Sequence, residues 1–199
     1  MGAQKRDEII HHAIKLIAGR GFDKVRFSIL GKKVGLSTAA IYYHFPTKEK
    51  LIEAVLARIV ERNHELISSK MQANFNAHER LCHHFEGNLQ WALHYPAEAK
   101  IEMLLYYFSS LEVRYSKLQA QMRVNGINRV LEYLLAGERE GIYQLGSDAQ
   151  FRAEALHHFL VGKILSVVTC SMAWKSQGLE VEKQFSSDWN RVIKYFTNS

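Results

Sequence analysis

Residues 35–51, GLSTAAIYYHFPTKEKL, contain two helix stops, each followed by a helix start. Gly35 can adopt the left-handed conformation that ends a helix, and Ser37 can cap the helix that follows. Pro46 cannot continue that helix, and Thr47 is a suitable cap for the next one. The segment therefore predicts three helices in close succession, of which the middle one has about two turns.

The remainder of the chain also favours helices. The whole chain has two prolines in 199 residues and no sustained period-2 alternation. Apolar residues recur at helical spacing from Asp7 to Ala18, and after Thr47 they form one stripe along a long fourth helix. A short second helix is expected over about 27–34, so the link Gly35-Leu36-Ser37 completes a helix-turn-helix. We predict an all-α fold of about nine helices.

The excess of basic residues lies at one end of the chain. Residues 1–50 contain ten Lys and Arg against four Asp and Glu, whereas residues 51–199 contain sixteen of each. The net charge of +6 therefore resides in the first quarter of the sequence. A small basic module on a neutral body indicates a local contact with a polyanion, and a solvated basic surface is the alternative.

Several other classes of protein lack support in the sequence. The N-terminal residues do not resemble a signal peptide, and no uninterrupted apolar segment reaches the ~18 residues of a membrane span. Cys82 and Cys170 make no disulfide framework, as in a reducing cytoplasm. Patterns typical of enzymes, such as a P-loop, GxSxG, GxGxxG or CxxC, are missing. We expect a cytoplasmic protein that is not an enzyme and has no cofactor.

The predicted helix after Ser37 suits the recognition helix of a helix-turn-helix. Such a helix enters the major groove with its N-terminal end first. The small residues Thr38, Ala39 and Ala40 would let the backbone approach base edges. The sequence therefore predicts that this tip reads DNA.

The aromatic residues of the same helix suit contacts with phosphates. Tyr42, Tyr43 and His44 carry donors that can reach the DNA backbone. Adjacent helical residues lie about 100° apart, so both tyrosines cannot share the inner face with Ile41 and Phe45. At least one tyrosine ring must be exposed. The residues predicted to contact DNA are Arg26, Ser28, Lys33, Ser37, Thr38, Ala39, Ala40, Tyr42, Tyr43, His44 and Lys48.

The same segment resembles the signature of the TetR (tetracycline-repressor-like) family of bacterial regulators. The shared order is Gly, an aliphatic residue, Ser, small residues, an aliphatic residue, Tyr, an aromatic or His pair, Phe, Lys-Glu and Leu. Gly21-Phe22 upstream also fits, and the resemblance covers residues 5–55. It implies a DNA-binding domain over residues 1–47 and a ligand-binding, dimerising domain over 48–199. It also implies a homodimer that releases DNA when a small molecule binds.

The second helix departs from the family's pattern. A Ser or Thr cap and an Arg-acid pair are expected where this chain has Val25, Arg26 and Phe27. Gly31 stands where Ala is usual, at a cost of about 1 kcal/mol in helix propensity. The alternative to a helix over about 27–34 is therefore one that starts late or frays, with Ser28 as a replacement cap.

Two apolar helices near the C-terminus are candidates for a dimer interface. The segment from Phe151 to Trp174 is almost continuously apolar, and a helix apolar on all sides must be buried on all sides. In the last helix, four apolar residues share one face. These helices could build a four-helix seam across a twofold axis, or close a monomeric core. The predicted interface residues are Leu156, Phe159, Leu160, Ile164, Val167, Phe185, Trp189, Ile193 and Phe196.

Aromatic and Met residues are concentrated in residues 89–108, around a helix break at Pro96. Such walls, with a few polar tips, suit a small and largely apolar ligand, and ordinary core is the alternative. The resemblance favours the ligand site. The predicted ligand-binding residues are Trp91, Tyr95, Met103, Tyr106, Tyr107, Met122, Cys170 and Trp174.

Ten histidines raise the question of a metal site. Two pairs at i, i+4 spacing could meet on one helix face and hold a divalent ion, namely His78 with Cys82 and Glu79 with His83. Glu61 and His64 are spaced as in a di-iron bundle, but they should lie opposite the apolar stripe of the fourth helix and face solvent. No metal site is predicted.

Two further classes compete with a ligand-controlled regulator. A non-specific architectural DNA binder would share the basic module, but it has no need of a capped recognition helix with small residues at its tip. An interaction module that no longer binds DNA is disfavoured by the positive charge confined to residues 1–50. The sequence therefore predicts a homodimeric repressor that leaves a palindromic operator when a small molecule binds.

Overall fold

The computed structural model describes residues 2–176, 180 and 189–197, and within these ranges it contains nine α-helices and no strand. The helices are α1 (Gly2–Arg20), α2 (Phe27–Val34), α3 (Thr38–His44), α4 (Lys48–Ser69), α5 (Ala77–His94), α6 (Pro96–Ser109), α7 (Val113–Arg139), α8 (Ala149–Ser176) and α9 (Trp189–Thr197). Single 3-10 turns span Phe22–Lys24 and Gly146–Asp148. The all-α architecture predicted from the sequence is confirmed.

The first three helices form a small head around a shared apolar cluster. Ile9 and Ile17 of α1, Leu30 of α2 and Ile41 of α3 are fully buried there. Phe45, directly after α3, is buried as well, so the inner face of the recognition helix is the one predicted.

Local capping sets where the helices of the head begin. The Ser37 and Thr47 side chains each accept a hydrogen bond from a backbone N–H three residues later, at 3.1 and 3.2 Å, as predicted. α2 spans Phe27–Val34, as its pattern predicted, so the alternative of a late start is wrong: the helix begins at Phe27 after the extended residue Arg26. Ser28 lies in its first turn and does not cap it.

The turn between α2 and α3 accounts for the glycine within α2. Gly35 has a φ of 67°, and its N–H donates to the Gly31 carbonyl, as does that of Leu36 at 2.8 Å. A Cβ on residue 31 would lie 2.5 Å from the Leu36 carbonyl oxygen. Alanine therefore does not fit this turn without a shift of the backbone.

The bundle of α4–α9 contacts the head in two places. α4 packs against α1 and continues into the bundle. At the junction of α6 and α7, the Phe108 and Tyr115 rings pack on Phe22, with centroids 5.4 and 5.1 Å away. Arg114, at the start of α7, donates to the Glu49 carboxylate at 2.6 Å. The start of α4 and the α6–α7 junction are thus held together.

One face of α8 is apolar and exposed. Within the described residues, the stretch Gly146–Cys170 is long and apolar enough to cross a membrane, a test that the core helix of a soluble protein also passes. Only 28% of its most apolar window is buried in the protomer. Five exposed residues of α8 share one face, which we call the outer face of α8: Phe151, His158, Gly162, Leu165 and Thr169.

Candidate nucleic-acid interface and ligand cavity

The recognition helix α3 lies at the surface of the head. Tyr42 is 53% exposed and Tyr43 is 86% exposed, so both rings face outward where at least one was expected to. The Tyr42 ring packs edge-on against Phe27 of α2, with centroids 4.7 Å apart. α2 therefore fixes the orientation of one exposed tyrosine.

The structure gathers the predicted DNA-contact residues on this head. Lys48 begins α4, where free backbone N–H groups attract a phosphate. Within the described residues no salt bridge engages Arg26, Lys33 or Lys48, so their charge is available to a polyanion. The exposed residues are Arg26, Ser28, Lys33, Ser37, Thr38, Ala39, Tyr42 and Tyr43, and the partly exposed ones are Ala40, His44 and Lys48.

The bundle contains a cavity of about 200 Å³ between α4, α5, α6, α7 and α8, which we call the central cavity. It adjoins an open groove of about 750 Å³ between α4 and α7. The groove is larger, but the central cavity combines enclosure with converging polar groups, as ligand sites do. Its lining residues are Ile59, Val60, Asn63, His64, His84, Asn88, Trp91, Glu102, Met122, Asn125, Gly126, Arg129, His157 and Leu160.

The predicted ligand-binding residues do not converge on one site. Trp91 and Met122 line the central cavity, and Tyr106 lines a small adjoining pocket. Tyr95 instead packs on the Arg62 guanidinium, 5.0 Å from its ring centroid, and Tyr107 is 62% exposed. Met103 packs against the apolar core, Cys170 is not among the lining residues described, and the Trp174 side chain lies outside the described part.

The walls of the central cavity are more polar than expected from the sequence. His64 was predicted to face solvent, but it is partly buried and accepts a hydrogen bond from Arg129. Asn63 Nδ2 donates to Asn88 Oδ1 at 3.1 Å, and Asn88 Nδ2 donates to the backbone carbonyl of His84 at 2.7 Å. A hydrogen-bonded network therefore covers the side of the cavity formed by α4, α5 and α7.

Burial determines the charges inside the cavity. It lowers the pKa of His84 to about 3 and that of His157 to about 4, so both imidazoles are neutral at physiological pH. It also raises the pKa of the Glu102 carboxyl to about 7. Glu102 shares the small adjoining pocket with Tyr106, Arg123 and His157.

A second buried carboxylate, Glu98, contacts a residue of the cavity wall. Glu98 is 2% exposed, forms a salt bridge with Arg62 and accepts a hydrogen bond from Trp91 Nε1 at 3.3 Å. Burial raises the pKa of Glu98, while Arg62 and Trp91 act in the opposite direction. This contact fixes the indole of Trp91 in the cavity wall.

The sequence did contain one signal for the central cavity that was missed, namely polar residues on a buried helix face. In α5 the buried stripe includes Leu81, Phe85 and Trp91, and His84 and Asn88 fall on the same stripe. A buried polar residue needs a partner, which marks such positions as candidates for a site. Arg129 and Glu102, on α7 and α6, gave no comparable local signal.

The structure assigns most of the predicted interface residues to the protomer's own core. A side chain buried within one protomer cannot contact another. The buried ones are Leu156, Leu160, Ile164, Val167, Trp189 and Ile193. Phe159 and Phe196 are partly buried, and Phe185 lies outside the described residues. Their sequence spacing showed that the helices were apolar but not which apolar face turned outward.

The residues considered for metal binding have other partners. His78 contacts the Tyr143 hydroxyl at 3.0 Å, and Cys82 Sγ is 3.5 Å from the same imidazole. Glu79 completes a capping box at the start of α5, and His83 lies 2.9 Å from the Ile67 carbonyl. Within the described ranges, no three His, Cys, Asp or Glu side chains are placed to hold a metal ion.

Sequence comparisons match the head of the molecule most closely. Residues 9–55 match the family described as bacterial regulatory proteins, tetR family. The nucleoid occlusion factor SlmA of Haemophilus influenzae is 22% identical over 129 residues, 63% of this chain. The matched part spans only 59% of SlmA, less than two thirds of its length. The HTH-type transcriptional regulator BetI of Vibrio parahaemolyticus is 24% identical over 143 residues, 68% of this chain and 70% of BetI.

Solved structures share the fold over nearly the whole chain. A TetR transcription regulator from Haloarcula marismortui has a TM-score of 0.80 at 16% identity, covering 98% of this chain and 99% of the other. A regulator from Saccharomonospora viridis, solved in complex with choline, has a TM-score of 0.79 at 23% identity, covering 98% of both. At identities below 25%, these solved structures show a shared fold. The match of residues 9–55 to the family is a separate finding, from the sequence. Residues 9–55 therefore carry the sequence signature of the tetR family of bacterial regulatory proteins, within a fold that solved regulators share over nearly the whole chain.

Proposed function

We propose that this protein is a cytoplasmic, sequence-specific DNA-binding regulator. It acts as a homodimeric repressor that a small molecule releases from a palindromic operator. The observation that carries the proposal is the exposed α3, capped by Ser37, within residues 1–50, which hold the chain's whole net charge of +6. A surface of this shape and charge fits the major groove and its phosphates.

The contacts divide into those that read bases and those that position the head. Thr38 and Ala39, exposed at the N-terminal tip of α3, are assigned to base edges. Tyr42, Tyr43 and Lys48 are assigned to phosphates on either side. Because Phe27 holds the Tyr42 ring, its hydroxyl is presented without a large loss of side-chain entropy.

The outer face of α8 supports a homodimer. Leu165 and Phe151 are exposed on that face, and Tyr195 is exposed on α9, which packs against α8. An exposed apolar patch of this kind typically covers a partner. In the part of the chain that the structure describes, a Cβ on Gly162 would meet nothing within 4 Å, so the glycine leaves room for a helix from a second copy. A twofold dimer suits a palindromic operator.

The position of the central cavity supports control by a ligand. Its walls include α4, α6 and α7, the helices whose ends contact the head. A ligand that favours a different arrangement of these helices would move the two recognition helices away from their spacing of about 34 Å on DNA. The structural neighbour from Saccharomonospora viridis was solved with choline, which supports a small-molecule site in this fold.

The first experiment is selection of duplexes from a random library by the purified protein, followed by anisotropy titration at several salt concentrations. We expect a palindromic sequence and, with roughly eight phosphates engaged, a log–log salt slope near −7. If no sequence is enriched and all duplexes bind alike, the protein is a non-specific architectural DNA binder, and the proposal fails.

Variants of Tyr42 separate contact from packing. Tyr42→Phe keeps the ring on Phe27 and removes only the hydroxyl, so operator affinity should fall about 5- to 10-fold while stability is retained. Tyr42→Ala should weaken binding further. Lys48→Gln should reduce the salt slope by about 1, whereas Lys100→Gln, an exposed lysine of α6, should leave it unchanged. Equal slopes for both lysine variants would contradict the assignment of Lys48.

A further inference from the structure

We propose that the central cavity binds a small organic carboxylate with an apolar body, and that Arg129 pairs with the carboxylate. This inference rests on the proposed ligand control for its regulatory meaning, but binding itself needs no DNA. It assigns the effector a chemical class that differs from the largely apolar ligand expected from the sequence.

Arg129 is a cation whose charge the protein does not neutralise. Within the described residues it forms no salt bridge, and its guanidinium donates to the neutral imidazole of His64. Arg62, by comparison, is paired with Glu98. A guanidinium has five N–H donors in a planar fork that matches a carboxylate, so Arg129 retains most of its donors for a ligand.

Two buried histidines add unmet hydrogen-bonding groups to the cavity walls. His84 is 6% exposed and His157 is 9% exposed, and among the described residues His84 Nδ1 and His157 Nε2 have no hydrogen-bond partner. The Asn88 amide lies 3.4 Å from His84 Nε2, which assigns the proton of this neutral ring to Nδ1. A buried donor is normally satisfied, and a ligand carboxylate would supply an acceptor for the His84 Nδ1–H.

The shape of the wall near His157 depends on a glycine. A Cβ on Gly126 would lie 2.3 Å from His157 Cε1, so the imidazole lies directly against α7 at that point. Gly126 is three residues before Arg129, on the same side of the helix. The glycine therefore brings His157 of α8 close to the turn that carries the arginine.

Glu102 does not cancel the charge of Arg129. It is the only carboxyl among the described lining residues, and no salt bridge joins it to Arg129. Because burial raises its pKa to about 7, much of it is protonated at neutral pH and can donate a hydrogen bond. A cationic ligand would need Glu102 ionised and would be repelled by Arg129.

The remaining residues of the cavity wall indicate that the rest of the ligand is apolar. Ile59, Val60, Met122 and Leu160 are apolar, and Trp91 adds an aromatic surface. An inorganic anion would leave this surface uncovered, whereas an organic acid covers it. The volume of about 200 Å³ is below that of pockets for drug-sized molecules, so the acid is small.

The test is calorimetry on the full chain without DNA, with three probes of one shape: benzoate, benzamide and benzylammonium. We expect benzoate to bind about 10- to 100-fold more tightly than benzamide, and benzylammonium to bind most weakly. Equal affinities for benzoate and benzamide, preference for the cation, or no benzoate binding at about 10 mM would overturn the inference. These comparisons use the unaltered protein and do not depend on a variant that folds.

Variants then locate the pairing group. Arg129→Gln should remove the preference for benzoate over benzamide, and Arg129→Lys should retain part of it. The control is Arg139→Gln, which changes an exposed arginine at the end of the same helix. If Arg129→Gln folds and keeps the full preference, the assignment to Arg129 is wrong. Benzoate that binds without weakening operator affinity would refute the proposed ligand control and leave the carboxylate inference intact.

Discussion

Gly31→Ala tests the tight turn of the helix-turn-helix, because helix propensity and geometry predict opposite signs. Propensity alone would stabilise the protein by about 1 kcal/mol, since alanine is the better helix former. In the structure, however, the new Cβ would lie 2.5 Å from the Leu36 carbonyl oxygen. That oxygen belongs to the backbone of a turn already fixed by two hydrogen bonds to the Gly31 carbonyl, so it cannot move without cost.

The magnitude follows from the balance of the two effects. Forcing an additional methyl group into a well-packed site costs about 1–3 kcal/mol, of which the gain in propensity offsets about 1 kcal/mol. We expect a net loss of up to about 2 kcal/mol in the free energy of unfolding. For a chain of this length that is a fall in Tm of up to roughly 8 °C.

Thermal unfolding at one protein concentration measures the change, with Gly19→Ala as the matched control. Gly19 is also helical, but a Cβ there meets nothing within 4 Å, so alanine should raise Tm by about 2–4 °C. Operator affinity of Gly31→Ala should also fall, because the turn positions α3. If both glycine variants raise Tm equally, the Leu36 carbonyl does not lie where the structure places it, and the argument is refuted.

Two further predictions concern the bundle. Above about pH 7 the native state holds an ionised Glu102 that burial disfavours, so Glu102→Gln should be more stable than the unaltered protein by up to ~3 kcal/mol near pH 8. That advantage should vanish as the pH falls towards about 4.5, and a pH-independent difference in urea unfolding would contradict it. In a twofold interface, Leu165→Glu would bury one carboxylate from each protomer. Sedimentation should therefore show the dimer weakened at least about 100-fold. Val124→Glu, at an exposed residue of α7, is the control, and equal weakening would exclude the outer face of α8 as the interface.

Local chemistry made the head of the molecule predictable from the sequence. The end of α2 and the bounds of α3 follow from caps and stops within a few residues, and these signals do not depend on distant contacts. Successive residues of a helix lie 100° apart, so Ile41 and Phe45 fall on the same side of α3. That side is the buried one. The concentration of positive charge in residues 1–50 is a property of the sequence itself.

The need for glycine at position 31 could not be inferred from helix propensity. Propensity marked this glycine as a cost, and only the position of the Leu36 carbonyl shows why it is needed. The alternative of a late start for α2 was wrong for a related reason, since an extended Arg26 begins the helix without a side-chain cap.

The bundle was predictable as a set of apolar helices but not as a set of faces. α8 is apolar nearly all round, so its sequence could not separate Leu156, which is buried in the protomer, from Leu165, which is exposed. The cavity is a stronger case, because His64, Arg129 and His157 lie far apart in sequence and meet only when α4, α7 and α8 pack together. The sequence by itself determined the helices, the recognition surface and its charge, because those depend on neighbours along the chain. Tertiary packing alone decided which polar groups are buried together, and with them the chemistry of the cavity.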